Sequence, residues 1–145
     1  ERISKRDLWL MGIMLYWAEG AKEKQNSRAA GVEFGNSDSR MVFLYIKWLV
    51  DICKVPRNQI KYDLYVHEAQ RENVAEIKRY WIRVLSLKTK ELQAVYFKKN
   101  KRSKTKKRIV RDYHGLLRVR VKSSSSLNRK ISGWIDGIAD YWRVG

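Results

Sequence analysis

Glu19 is the residue whose type and position most directly invite chemistry. It follows Leu8–Ala18, an eleven-residue run without a charged side chain, and Gly20 comes immediately after it. If that run is a helix, the carboxylate sits at its C-terminal end, where the helix dipole disfavours negative charge. A cation must compensate, and Lys22, Lys24 or a bound divalent ion would supply it. The ordinary counterpart of this arrangement is a helix-end glutamate paired with a nearby lysine.

A second kind of chemistry is cationic. The chain carries 32 Lys+Arg against 15 Asp+Glu, a net charge of +17, which argues for a polyanionic partner. From Lys98 to Arg111 the sequence KKNKRSKTKKRIVR holds nine basic residues and no acid; removing those nine from +17 leaves +8 elsewhere. Such density repels itself, so 98–114 is expected to be a basic loop that moves until an anion neutralises it. Within it Lys99, Lys101, Arg102, Lys104, Lys106, Lys107 and Arg108 are candidate nucleic-acid contacts.

The segment Leu116–Lys122 alternates Leu117, Val119 and Val121 with Arg118, Arg120 and Lys122, the pattern of a half-buried strand. Same-face residues lie roughly 6.5–7 Å apart along a strand, so these cations can follow a phosphate backbone. Lys61, Tyr65 and His67 would extend that face, while Glu33 and Asp63 would interrupt it. Most of the tryptophans, Trp48, Trp81, Trp134 and Trp142 among them, fall on helical stripes with Leu and Ile and are assigned to the core.

These groups need a scaffold. At 145 residues the chain is about one domain. One Cys and two His exclude an internal disulfide framework and a zinc finger, and a lone thiol fits a reducing compartment. The apolar run is too short to span a bilayer, which takes roughly 20 residues, and no small-residue cleavage site follows it. A membrane partner is therefore not expected. The chain begins at Glu1, and a preceding portion is expected.

Helices are predicted from Ser4 to Glu19, after Asn36-Ser37-Asp38, over Arg71–Leu85, and after Ser123–Ser126. Strands are predicted around Ala30–Phe34, Ile60–His67, Leu92–Phe97 and Leu116–Lys122. The order implies an α+β fold, an antiparallel-rich curved sheet with helices packed on one face.

GIMLYWAEG followed by VEFGNSDSRMVFLYIKWL resembles a LAGLIDADG homing endonuclease domain, whose apolar helix ends in a small residue, an acid and glycine: here Ala18-Glu19-Gly20. Val32, Phe34, Asn36, Asp38, Met41, Leu44, Ile46 and Leu49 match the strand and helix that follow in that family. The resemblance covers about Leu8 to Leu49, and Met14 stands where the family's first small residue falls. ISGWIDG (131–137) is similar to a second copy, but Ile138-Ala139 replaces the acid-glycine pair, so it reads as the C-terminal helix. One motif per chain implies a homodimer through the Leu8–Ala18 helices.

The resemblance further implies that two Glu19 carboxylates meet at the dimer axis and hold Mg²⁺ for hydrolysis of duplex DNA. Lys22, Lys61 or Lys98 would be the flanking catalytic basic residue that steadies the transition state, and Arg118, Arg120 and Lys122 would read the duplex. A cytoplasmic, nucleoid-associated location is the matching expectation. Two other readings stay open: a non-catalytic DNA-binding transcriptional regulator on the same fold, and a structured-RNA-binding protein.

Overall fold

A computed structural model describes residues 2–20, 31–92, 94–99, 113–141 and 143. Helix α1 (Lys5–Glu19) starts where Ser4 and Asp7 cap each other. The Asp7 N–H donates to Ser4 Oγ at 3.2 Å, and the Ser4 N–H donates to Asp7 Oδ2 at 2.8 Å. At the other end the Gly20 N–H still donates to the Tyr16 carbonyl at 2.7 Å. The backbone then turns extended, and Gly20 forms an antiparallel bridge to Phe34.

Phe34 belongs to β1 (Glu33–Asn36). Asp38 follows as the N-cap of α2 (Ser39–Asp51), accepting the Arg40 N–H at 2.9 Å. The helix expected over Arg71–Leu85 begins later. A 3₁₀ segment occupies Glu68–Asn73, and α3 runs from Val74 to Leu85. His67 explains the delay: its Nδ1 accepts the Ala69 N–H at 3.1 Å and closes a tight turn before the α-helical ladder can start.

The remaining strands are β2 (Ile60–His67), β3 (Ala94–Lys98) and β4 (Leu116–Val121), and α4 (Ser125–Tyr141) closes the chain. The sheet order is β1-β4-β2-β3. β4 pairs antiparallel with both β1 and β2, whereas β2 and β3 run parallel. A parallel pair needs a crossover connection, and α3 provides it. The fold is thus α+β with a mixed four-stranded sheet, less uniformly antiparallel than the strand pattern implies.

Phe34, Tyr62, Leu64, Val66, Leu117 and Val119 form the buried side of the sheet, and Ile13, Tyr45, Trp48, Leu49, Trp81 and Ile131 cover them from the helices. Trp48 and Trp81 are core residues, as the stripes predict, while Trp142 lies outside the described residues. Gly12 is where α1 meets α2: a Cβ there would lie 2.1 Å from the Trp48 indole. Only a bare backbone lets the two helices approach so closely.

The described residues cover one flank of α1 and not the other. Leu8, Gly12, Ile13 and Tyr16 are buried, but Leu10, Met11, Met14 and Trp17 are between 36% and 50% exposed. Burial of this apolar helix on every side is therefore not achieved among the described residues. No helix among the described residues is long and apolar enough to cross a membrane.

Candidate nucleic-acid interface

Strand alternation turns one set of side chains away from the core. Register then decides which of them meet: Lys61 lies opposite Arg120, Asp63 opposite Arg118, Tyr65 beside both Leu116 and Tyr96, and His67 beside Lys98. Glu33 on β1 faces Arg120, and Gly35 faces Arg118. The outer face therefore carries cations, two acids and two tyrosines.

Asp63 is the hinge of this face. Its side chain is only 3% exposed, yet it is charged, and two arginines share it. Arg118 donates through Nε at 3.2 Å and Nη2 at 2.9 Å to Oδ2. Arg120 donates through Nε at 2.5 Å to Oδ2 and Nη2 at 3.1 Å to Oδ1. Burial by itself would raise the Asp63 pKa; the hydrogen bonds from Arg120 and Arg118 outweigh it, and the carboxyl is held below its ordinary value. The same bonds push the Arg120 guanidinium up. Glu33 adds a longer contact, 3.7 Å to Arg118.

Asp63 and Glu33, expected to interrupt this face, do so by pairing with its arginines. With Asp63 and Glu33 the four charges balance, so the arginines contribute little net attraction to a polyanion. What they retain is orientation. Each guanidinium is held along one edge by Asp63, and the side chains stay 31% and 43% exposed, with donors left for a ligand. Lys61 on β2, Lys98 at the end of β3 and Lys122, in the turn just past β4, are exposed and have no ion pair among the described residues, so the uncompensated charge here is theirs.

Sequence reasoning placed Tyr65 on this face but missed Tyr96 as its stacking partner. Tyr65 stacks on Tyr96 with ring centroids 5.0 Å apart, Lys98 Nζ lies 4.7 Å from the Tyr65 centroid, and Arg118 Cζ lies 5.0 Å from it. Tyr96 is 45% exposed. The signal was present in β3, where Tyr96 and Lys98 alternate with the more deeply packed Val95 and Phe97.

Glu19 ends α1 exposed, without a hydrogen bond or ion pair among the described residues. Lys22 and Lys24 lie outside those residues, as do Lys101, Arg102, Lys104, Lys106, Lys107 and Arg108. Of the expected basic loop, Lys98 ends β3 and Lys99 follows it, exposed. Lys61 and Lys98 are not brought together. Lys98 pairs with His67, six residues beyond Lys61 on β2, which separates them by about 20 Å along the strand. They cannot both flank one carboxylate.

Among the described residues no three His, Cys, Asp or Glu side chains cluster as a metal site. The Cys53 thiol, half-buried, has its pKa pushed up to about 12 by burial, which makes it a packing residue rather than a nucleophile. Comparison with protein-family models, curated proteins and solved structures finds no match.

Proposed function

We propose that this chain is a DNA-binding domain of the LAGLIDADG homing endonuclease type, dimeric through α1, with the outer sheet face on duplex DNA and Glu19 as the cleavage carboxylate. The observation that carries the reading is the state of α1. Its exposed flank is Leu10, Met11, Met14 and Trp17, and the helix delivers Ala18-Glu19-Gly20 directly to β1. Apolar side chains in such a row favour burial, at roughly 25 cal/mol per Å² removed from water. A second copy of the same helix is a self-complementary cover.

Glu19 fits half of a Mg²⁺ site. Its oxygens have no partner among the described residues, and a carboxylate is the right ligand for a hard ion. One carboxylate is insufficient, and the proposal takes the second from the other copy. The chemistry such an ion supplies when bound is activation of water and neutralisation of phosphate charge. The chain's own residues position the duplex: Lys61 and Lys122 attract the backbone, and the clamped Arg118 and Arg120 present donor edges suited to guanine in the major groove.

One observation favours the non-catalytic regulator as a second reading. Each chain offers Glu19 without a further carboxylate or histidine cluster among the described residues, an arrangement that a regulator on the same fold would also have. Supercoiled plasmid incubated with and without Mg²⁺ separates the two. The nuclease reading expects Mg²⁺-dependent nicking or linearisation by the wild type and none by Glu19→Gln, with duplex binding unchanged. Full cleavage by Glu19→Gln removes the assignment of Glu19, and binding without cleavage by the wild type leaves the regulator. Preference for structured RNA over duplex DNA would contradict both.

A further inference from the structure

Tyr96 presents an aromatic ring to solvent from the outer side of an edge strand. It lies on β3, last in the order β1-β4-β2-β3, and is 45% exposed. One side of its ring stacks on Tyr65, with centroids 5.0 Å apart and 21° between the planes. Tyr65 is its only ring contact among the described residues, and no cation among them sits on it. Packing does not use the other side of the ring. Val95 and Phe97 take the core side of β3, and alternation leaves Tyr96 outward with Ala94 and Lys98 as its same-face neighbours along the strand. Ala94 ends at a methyl and cannot cover a ring. A cross-strand aromatic pair stabilises a sheet through the side it shares, so the open side of Tyr96 has no role in the fold.

The ring is also backed firmly. Tyr65, behind it, has Lys98 Nζ 4.7 Å and Arg118 Cζ 5.0 Å from its own centroid, and Arg118 is fixed in turn by Asp63. A surface ordered in advance loses little freedom when a second flat group lies on it.

Charge selects the flat group. Lys98 and Lys99 follow Tyr96 directly in space and in sequence, both exposed and without an ion pair among the described residues. The acids nearby are already engaged: Asp63 by Arg118 and Arg120, and Glu68 by Arg71 at 2.8 Å. A flat group joined to phosphates is a nucleobase, and bases stack on exposed aromatic rings with little regard to sequence. Inside a duplex the faces of a base are occupied by its neighbours, so the base that fits here is an unpaired one.

We propose that the open side of Tyr96 is a stacking platform for one unpaired nucleobase of a single strand, with Lys98 and Lys99 beside it for the adjoining phosphates. Single-strand binding of this kind needs neither Glu19 nor the α1 dimer, and it goes beyond the duplex contact described above.

Fluorescence anisotropy of end-labelled oligodeoxyuridylate, compared with an abasic strand of the same length and label at fixed salt, tests the platform. The two strands carry equal phosphate charge, so a difference in affinity reads the bases. The wild type is expected to bind oligodeoxyuridylate roughly fivefold or more tightly than the abasic strand. Tyr96→Leu should bind both strands alike, and Tyr96→Phe should keep the difference. Leu retains apolar packing on Tyr65 without a flat π-face, and melting temperature checks that the variant folds. Equal affinity of the wild type for the two strands overturns the proposal without recourse to any variant, and a preference retained by Tyr96→Leu overturns the assignment to this ring. Oligouridylate, which differs only by the 2′-hydroxyl, identifies the source: tighter binding of the deoxy strand assigns the platform to DNA, and tighter binding of the ribo strand assigns it to RNA. Failure of the platform leaves the plasmid cleavage result untouched, so the two readings fail separately.

Discussion

Asp63→Asn is the perturbation that most sharply tests how the outer face is built. The carboxylate accepts four hydrogen bonds, two from each guanidinium. Bonds of this charged kind contribute roughly 1.5–3 kcal/mol each at a buried site. Here the arginines are 31% and 43% exposed, so water competes for them and the sum is strongly reduced. Asn keeps one carbonyl acceptor and loses the charge, for a net loss of about 2 kcal/mol. In a domain of this size that lowers the melting temperature by roughly 6–8 °C at pH 7.

The pH dependence carries a definite sign. The folded-state pKa of Asp63 lies below its ordinary 3.8, so its stabilisation is complete above that value and fades as pH falls through the lowered one. Melting curves of wild type and Asp63→Asn should therefore stand apart at pH 7 and pH 5 and converge below pH 3.8. Identical melting at pH 7, or a gap that persists undiminished at the most acidic pH where the wild type is folded, would refute the clamp. Removing this charge also leaves the four-residue cluster at +1, so non-specific duplex affinity should rise.

Two further outcomes follow from packing. Gly12→Ala forces a methyl into the Trp48 indole and should cost roughly 1–3 kcal/mol or more in a denaturant titration; a loss under 0.5 kcal/mol would mean α1 and α2 are not locked there. Met14→Lys places a charge in the middle of the exposed α1 flank, where it disturbs nothing in the chain's own core. Sedimentation should show wild-type dimers and Met14→Lys monomers with unaltered melting of the monomer. A dimer that survives the change would place the interface elsewhere.

Local patterns carried much of the fold. The Ser4–Asp7 cap and the Gly20 stop bound α1, and the alternation of Leu117, Val119 and Val121 with Arg118 and Arg120 gives β4 and its two faces. What stayed hidden is non-local. That Asp63 falls between Arg118 and Arg120 depends on the β2–β4 register, which joins residues more than fifty positions apart. The Tyr65–Tyr96 stack depends on β3 arriving parallel, a consequence of the α3 crossover. Lys61 and Lys98 looked interchangeable as partners for Glu19 because spacing along the chain does not reveal six rungs of separation on one sheet. The need for glycine at position 12 is likewise non-local, because its reason lies in Trp48 on α2.

The central claim, that the outer sheet face engages a duplex through its uncompensated lysines, is tested most directly by the salt dependence of duplex affinity. Each phosphate contact contributes about 0.9 to the slope of log affinity against log salt. The account predicts that Lys61→Ala with Lys122→Ala shrinks that slope by roughly 1.8. A slope unchanged from the wild type would contradict it, because the DNA would then be held by some other surface.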